Sequence, residues 1–396
     1  MKKNIYLSAP ALVCCAGLNK NELYESCLTG FQGGITPWQM SCCEGKFPIG
    51  MISAQIPEAD FLGAEPARYS GSTRIFGLIN AALDQLAPAV KSALCKYGPQ
   101  RIGVCFGTCD NGSEASLLAH NALFENGEFP GDYSLRFQSA SFPAEFVSRK
   151  FALSGHVFTV ATACASGASA IVRGAELIRA GFCDAVIAGG ADVVSQTVFA
   201  GFHALEAVSD SLSNPFSKNR KGINLGEGAA FFLLDSENIS GIELLGAGES
   251  ADAYHMTAPG KDGEGPAKAM KAALLDAQIE SSQIDYVNLH GTGTELNDKA
   301  EALAMNAVFA CVPCASSTKP ITGHTLGAAG ALETAICWMA LSEQRGLPVH
   351  CWDGARDEEV PFVPSVEGQK KPSICMSNSF AFGGCNVSLI LGRKAQ

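Results

Sequence analysis

Cys164 is the residue of this chain best placed to act as a nucleophile. It falls in His156-Val-Phe-Thr-Val-Ala-Thr-Ala-Cys-Ala-Ser-Gly-Ala-Ser-Ala-Ile171, and the character of the sequence changes at the thiol. Before it, Val157, Phe158 and Val160 are β-formers with little charge, as a buried strand requires. After it, small residues lead into Ile171, Val172, Ala175 and Ile178 at close to helical spacing. A thiol at such a junction faces unpaired N–H groups and the positive end of a helix dipole, which favour thiolate. Its own N–H is available to hold an oxyanion. The expected chemistry is nucleophilic attack without a metal. Free cysteines are usually inert core residues and this chain has 16, so the assignment needs support from elsewhere.

Three segments supply it. His290-Gly-Thr-Gly-Thr294 follows the strand-like Ile284-Asp-Tyr-Val-Asn-Leu289, which puts His290 at a strand's carboxyl end, where open α/β sheets hold their ligands. Lys319 and His324 precede a small-residue helix in Ser316-Ser-Thr-Lys-Pro-Ile-Thr-Gly-His-Thr-Leu-Gly-Ala-Ala-Gly330. Ser377-Asn-Ser-Phe-Ala-Phe-Gly-Gly-Cys-Asn386 carries a glycine pair that lets backbone approach a ligand closely. Each alone is weak, because a single histidine is commonly structural and a Gly-Gly pair is commonly a turn. In this order and context they are specific.

Thr162-Ala-Cys-Ala-Ser-Gly167, His290-Gly-Thr-Gly-Thr294, the Lys319 and His324 pair, and Asn378-Ser-Phe-Ala-Phe-Gly-Gly384 together resemble the motifs of the β-ketoacyl-acyl-carrier-protein synthases. These are condensing enzymes of the thiolase superfamily, and the resemblance covers essentially the whole chain. It implies an α/β fold layered α-β-α-β-α and made of two similar halves, residues 1–238 carrying the cysteine and 239–396 carrying both histidines and the lysine. It implies decarboxylative Claisen condensation of an acyl-Cys164 with a malonyl carrier to give a 3-oxoacyl carrier. Cys164 and, by resemblance, Phe382 would supply the oxyanion N–H groups, and Phe380 and Phe382 would gate the pocket. His290 and His324 would hold the enolate oxygen. Lys319 would tune them, paired with Glu301, which stands eleven residues past His290; a plain structural ion pair is the competing role. Thr292 and Thr294 would either hold the carrier's pantetheine arm or satisfy the turn, and Asn386 and Asp110 would line the substrate site. No metal, flavin or nucleotide is implied, since the acyl groups ride on phosphopantetheine; Gly222-Ile-Asn-Leu-Gly-Glu-Gly228 precedes a strand rather than a helix, unlike a dinucleotide loop.

Within that group the wording at 213–228, 248–255 and 379–383 is similar to synthases of aryl polyene pigment clusters. Three departures from the housekeeping pattern stand out: Ala381 for a glycine in the gate, Cys385 for a threonine, and Asp110 where relatives place an apolar or small residue. A carboxylate lining the acyl pocket would disfavour a saturated chain. Two rival readings are a non-catalytic chain-length factor, which generally lacks the nucleophile, and a thiolase using coenzyme A, which pairs two cysteines with one histidine.

The rest of the chain must position these groups. Strand-like runs at 101–107, 157–163, 185–190 and 229–234 alternate with helical ones, and the pattern resumes after 240. There 241–247, 286–289 and 315–318 are strand-like while 265–277, 300–309 and 328–341 are helical, which argues for parallel sheets covered by helices. Cys164-Ala-Ser-Gly-Ala and His324-Thr-Leu-Gly-Ala both open small-residue helices, as an internal duplication with two closely packed central helices would require. A hydrophobic fraction of 47% in 396 residues gives a well-buried core. The net charge of −11 excludes a nucleic-acid partner. An acyl carrier protein, itself acidic in this family, would need a local basic patch; Lys218-Asn-Arg-Lys221 and Arg68 with Arg74 are the candidates. The irregular cysteines, with the lone Cys311-Val-Pro-Cys314, read as reduced thiols of a cytoplasmic protein rather than a zinc site. Pro10 interrupts the apolar run after Lys2-Lys3, so 4–8 reads as a buried strand rather than a secretory signal. No stretch approaches the ~20 apolar residues of a membrane span. A homodimer is the default expectation, with a chain-length-factor heterodimer as the alternative.

Overall fold

The computed structural model describes residues 3–57, 59, 70–110, 112–131, 133–366 and 371–393, without the side chains at 70–73 and 137. Its first half contains β1 (Tyr6–Leu7), β2 (Ala11–Cys14), α1 (Lys20–Thr29), the hairpin β3 (Thr36–Gln39) and β4 (Lys46–Ile49), and α2 (Ser70–Tyr97). There follow β5 (Ile102–Gly107), α3 (Ser113–Asn126), α4 (Ser141–Lys150), β6 (Val157–Val160), α5 (Ser166–Arg179), β7 (Ala185–Asp192), α6 (Gln196–Ala204) and β8 (Gly228–Asp235). The second half runs β9 (Ile242–Ala251), α7 (Glu264–Ala277), β10 (Tyr286–Asn288), α8 (Glu295–Val308), β11 (Cys314–Ser316), α9 (Lys319–Thr322), α10 (Ala329–Glu343), β12 (Ile374–Phe380) and β13 (Cys385–Arg393).

The two halves repeat one topology. In the first, β5 lies between β6 and β7, parallel to both, and β8 is antiparallel to β7. In the second, β10 lies between β11 and β12, parallel to both, and β13 is antiparallel to β12. Strand β1 pairs with β8 and with β9 and so joins the halves into one sheet. Alternate residues explain the layers, because successive strand side chains point to opposite faces. On β8, Phe231 and Leu233 face the cluster built with α2 and α4, whereas Ala230, Phe232 and Leu234 face α5 and α10. Val287, Met376 and Ile390 of the second half meet α7 and α8 on its outer side. The result is the expected α-β-α-β-α order with α5 and α10 as the central layer. Burying each of Phe232 and Leu234 is worth about 1.5–3 kcal/mol.

Small residues set the spacing of that central layer. A Cβ on Gly167 would come within 2.7 Å of the Gly327 carbonyl oxygen, and one on Gly330 within 2.8 Å of Ala168 Cβ. Every residue of α10 from Ala329 to Leu341 is buried, which is why this helix shows no polar face in the sequence.

The structure changes three sequence expectations about these elements. The apolar run at 157–160 is an edge strand, not an interior one: β6 ends the sheet, with Val157 37% and Phe158 47% exposed. The strand expected at 4–8 is only Tyr6–Leu7; the chain breaks at Pro10 and resumes as β2, as a residue without an N–H requires. The internal repeat is present, but in another register. Each central helix is preceded by a 3-10 turn, Ala163–Ala165 before α5 and Leu326–Ala328 before α10. The first residue of each turn has positive φ, Ala163 at 48° and Leu326 at 53°, a conformation costing about 1–3 kcal/mol for a residue with a side chain. Thr162-Ala-Cys-Ala-Ser-Gly167 therefore matches Thr325-Leu-Gly-Ala-Ala-Gly330, and the counterpart of Cys164 is Gly327. His324 stands three positions earlier than the small-residue alignment had suggested.

Candidate active site

A cavity of about 400 Å³ runs inward from Leu205 and Leu296, both half exposed, to buried Cys164, His290 and His324. Phe380, Phe382, Thr292, Thr294 and Asn386 also line it. The strand-end position expected for His290 holds, since it lies two residues past β10. Chain segments from both halves thus converge on one hollow.

Cys164 is the middle residue of its 3-10 turn. Its N–H and that of Phe382 have no acceptor among the described residues, so both are open donors. The thiol, however, is not the thiolate expected at a helix start. Burial pushes it up to about 12; the charge of Lys319 pulls it down, while Asp192 and Glu333 push it further up. The helix-dipole argument fails because α5 begins inside the core, where losing water outweighs the dipole.

The two imidazoles lie edge to face, with ring centroids 5.5 Å apart. Lys319 Nζ lies 3.3 Å from Nδ1 of His290 and also donates to the His290 carbonyl oxygen. An amine that only donates makes Nδ1 the acceptor, so the His290 proton sits on Nε2. In His324, Nδ1 accepts the Leu326 N–H at 3.3 Å, which fixes the same tautomer. Burial, then the Lys319 charge, holds both rings well below the usual imidazole range, His324 adding to the effect on His290. Two neutral rings therefore offer Nε2–H groups to the cavity. That arrangement suits an oxygen gaining negative charge.

Several expected roles move. The carboxylate paired with Lys319 is Glu333 of α10, not Glu301. Glu301 instead accepts the N–H groups of His290 at 2.9 Å and Gly291 at 2.7 Å, bracing the turn that carries His290. Asp110 is buried but does not line the cavity that holds Cys164; its Oδ1 accepts the Ser113 N–H at 2.8 Å at the start of α3. Thr292 and Thr294 line the cavity with their hydroxyls 2.9 Å apart, and Asn386 is held by Asp252 Oδ1 at 2.6 Å. Ala381 has extended φ of −105°, where alanine is as comfortable as glycine. Cys385 starts β13 opposite Ala251 and does not line the cavity. Of the basic candidates, Arg220 is ion-paired with Asp357 and its side chain is 5% exposed, Arg74 pairs with buried Glu227, and Arg68 lies outside the described residues. Lys218 and Lys221 remain at the surface.

Three carboxylates of the site escaped sequence reasoning. Glu333 is the one charge between Ala328 and Ser342, a signal that an apolar run makes visible. Asp298, one helical turn before Glu301, accepts from Thr292 and Gly293 N–H groups. Asp192 ends β7, and nothing in its local sequence marks it.

Family comparison decides what this geometry belongs to. The N-terminal domain model of β-ketoacyl synthases matches residues 79–238, and the C-terminal domain model matches 242–350. The chain belongs to the β-ketoacyl synthase family. The synthase is an acyltransferase of the condensing type. It is 31% identical to 3-oxoacyl-[acyl-carrier-protein] synthase 2 of Coxiella burnetii, over 99% of each chain. It is 36% identical to nodulation protein E of Rhizobium meliloti, over 73% of this chain and 75% of that one. Among solved structures, a chain of the ketosynthase ApeO–chain length factor ApeC complex of Xenorhabdus doucetiae superposes with a TM-score of 0.90. Its sequence identity is 37%, covering 99% of the synthase and 98% of that chain. Among the described residues no helix of the synthase is long and apolar enough to cross a membrane.

Proposed function

We propose that the synthase elongates a carrier-bound acyl chain by two carbons through an acyl-Cys164 intermediate. Cys164 Sγ attacks the acyl thioester, and the N–H groups of Cys164 and Phe382 hold the oxyanion. The carrier thiol leaves with the proton of Cys164. A malonyl carrier then loses CO₂, and its enolate oxygen accepts the Nε2–H groups of His290 and His324. The enolate carbon attacks the acyl-Cys164 carbonyl, the C–S bond breaks, and the freed Cys164 thiolate takes a proton from water to regenerate the thiol. Lys319, held by Glu333, keeps the His290 tautomer, while Glu301 braces that histidine's backbone. Phe380 and Phe382 gate the cavity, and Thr292, Thr294 and Asn386 are placed to hold the pantetheine arm. Residues 1–238 and 239–396 are the halves that meet at this site. The reading calls for no metal, flavin or nucleotide beyond the carrier's own phosphopantetheine.

The observation that supports it most is that Cys164, His290 and His324 line one cavity while Nδ1 of each ring is taken by a donor, which leaves Nε2 to carry the proton. The retained nucleophile speaks against a non-catalytic chain-length factor. Incubation with acyl and malonyl carriers should release one CO₂ for each 3-oxoacyl carrier formed. No CO₂ release, with cleavage of acetoacetyl-coenzyme A in its place, would favour the thiolase reading.

Relatives in solved complexes are described with a chain length factor and with an acyl carrier protein, and we extend both partners to this chain. The apolar edge of β6, beside Phe182 at 55% exposure, suits a second subunit of the same fold, since an open apolar edge invites strand pairing. A chain length factor is preferred there over a second copy. Lys221, which lines the cavity, and exposed Lys218 are the carrier-docking candidates. The setting is the cytoplasm, where 16 unpaired cysteines stay reduced. The pathway we favour is aryl polyene synthesis, on the likeness to the ApeO complex and the wording at 213–228. A panel of acyl carriers would test it, with faster loading of aryl-polyenoyl than of saturated chains expected.

A further inference from the structure

Asp192 closes β7 with its side chain wholly buried, and its carboxylate gathers donors from two other segments. Thr108 Oγ1 donates at 2.6 Å, and the N–H groups of Cys109 and Asp110 donate at 2.9 and 3.0 Å. Thr108 and Asp110 donate to Oδ1, whereas the Gly327 N–H shares Oδ2 with Cys109. A Cβ on Gly327 would lie 2.5 Å from the same oxygen, so only glycine allows this approach. Gly327 is the counterpart of Cys164 in the second half. At the first turn the equivalent N–H, on cavity-lining Cys164, has no backbone acceptor among the described residues; at the second it is occupied by a carboxylate. The neighbouring Leu326 N–H is the group that fixes the His324 tautomer.

We propose that Asp192 is a positioning residue for the decarboxylating half-reaction, holding the Leu326–Ala328 turn so that His324 points Nε2–H at the enolate oxygen. This rests on the condensing reaction proposed above. The carboxylate acts through backbone and touches no substrate. Two observations support a selective effect. In the central layer it takes the N–H of Gly327, in the turn that carries His324, and it makes no hydrogen bond to the oxyanion donors Cys164 and Phe382. Its charge also pushes the Cys164 thiol up, so its removal would not handicap acyl loading.

The test separates the half-reactions at pH 8, where the carboxyl, raised by burial to about 7, is ionised. Wild type and Asp192→Asn are first loaded with an acyl group from an acyl carrier, and the rate is read by intact mass. CO₂ release from malonyl carrier is then followed with the preloaded enzyme. Loading should stay within about twofold, while the CO₂-release kcat falls about 10- to 100-fold with KM for malonyl carrier unchanged, as displacement of a donor predicts. Thr108→Val, which removes one donor and keeps the charge, should give a loss of about threefold in the same step, and it serves if Asp192→Asn does not fold. Equal losses in both half-reactions, or no loss of CO₂ release in whichever variant folds, would overturn the proposal. Wild type that releases no CO₂ would instead overturn the condensing reaction itself.

Discussion

The turn at Thr162–Gly167 and the turn at Thr325–Gly330 are built alike and do different work. Each begins with a threonine, places a side-chain-bearing residue at positive φ, and opens one of the two central helices. In the first, the next residue is Cys164, which lines a cavity. In the second it is Gly327, whose N–H is taken by Asp192. The comparison teaches that local backbone shape does not by itself make a nucleophile site. What stands opposite the N–H decides between chemistry and bracing. His290 illustrates the same device again, its turn braced by Glu301.

The largest expected effect breaks the comparison at its catalytic end. Cys164→Ala should abolish acyl loading, read by intact mass, with no fall in thermal unfolding midpoint, because alanine fits that turn as readily as Ala163 does. At the bracing end the outcome reverses. Gly327→Ala brings a methyl against Asp192 Oδ2 and within 2.8 Å of Thr108 Cα, so it should cost about 1–3 kcal/mol of stability in denaturant unfolding. Gly201→Ala is the matched control: nothing lies within 4 Å of its Cβ position, and it should be neutral or slightly stabilising.

Glu301→Gln sharpens the comparison through pH. It should lower kcat about tenfold, since two N–H groups lose a charged acceptor. Burial raises the Glu301 carboxyl to about 7. A carboxyl raised on folding favours the protonated native state. Its stabilising contribution is full below the ordinary carboxylate range and is lost as pH rises through about 7. Glutamine does not titrate, so the variant should gain stability relative to wild type between pH 5 and pH 8, by about 1–3 kcal/mol. A difference that stays flat over that range would contradict the assignment. The smallest effect belongs to the surface: Lys221→Ala should raise the KM for the carrier about two- to threefold at low salt and leave kcat unchanged, consistent with an exposed charge.

Much of the site was legible where local pattern and function coincide. Cys164 at a strand-to-helix junction and His290 at a strand end follow from periodicity, and the alternation of strands with helices pointed to parallel sheets covered by helices, while the layered order came from the resemblance. The remainder depends on which segments meet. The resemblance made Glu301 the expected partner for Lys319, yet the carboxylate that reaches it is Glu333 of the central helix α10. The apolar character of 157–160 is the same for an interior strand and for an edge awaiting a partner. Desolvation of Cys164 could not be read from a motif whose dipole pointed the other way. Asp192 lacked any local mark, because its importance comes from a glycine 135 positions later in the chain.

The most direct test of the account follows one sulfur through a turnover. Peptide mapping by mass spectrometry after incubation with an acyl carrier should put the acyl mass on the Cys164 peptide, and adding malonyl carrier should clear it as 3-oxoacyl carrier appears. Acyl mass on another of the cysteines, or an acyl-Cys164 that persists while product forms, would contradict it.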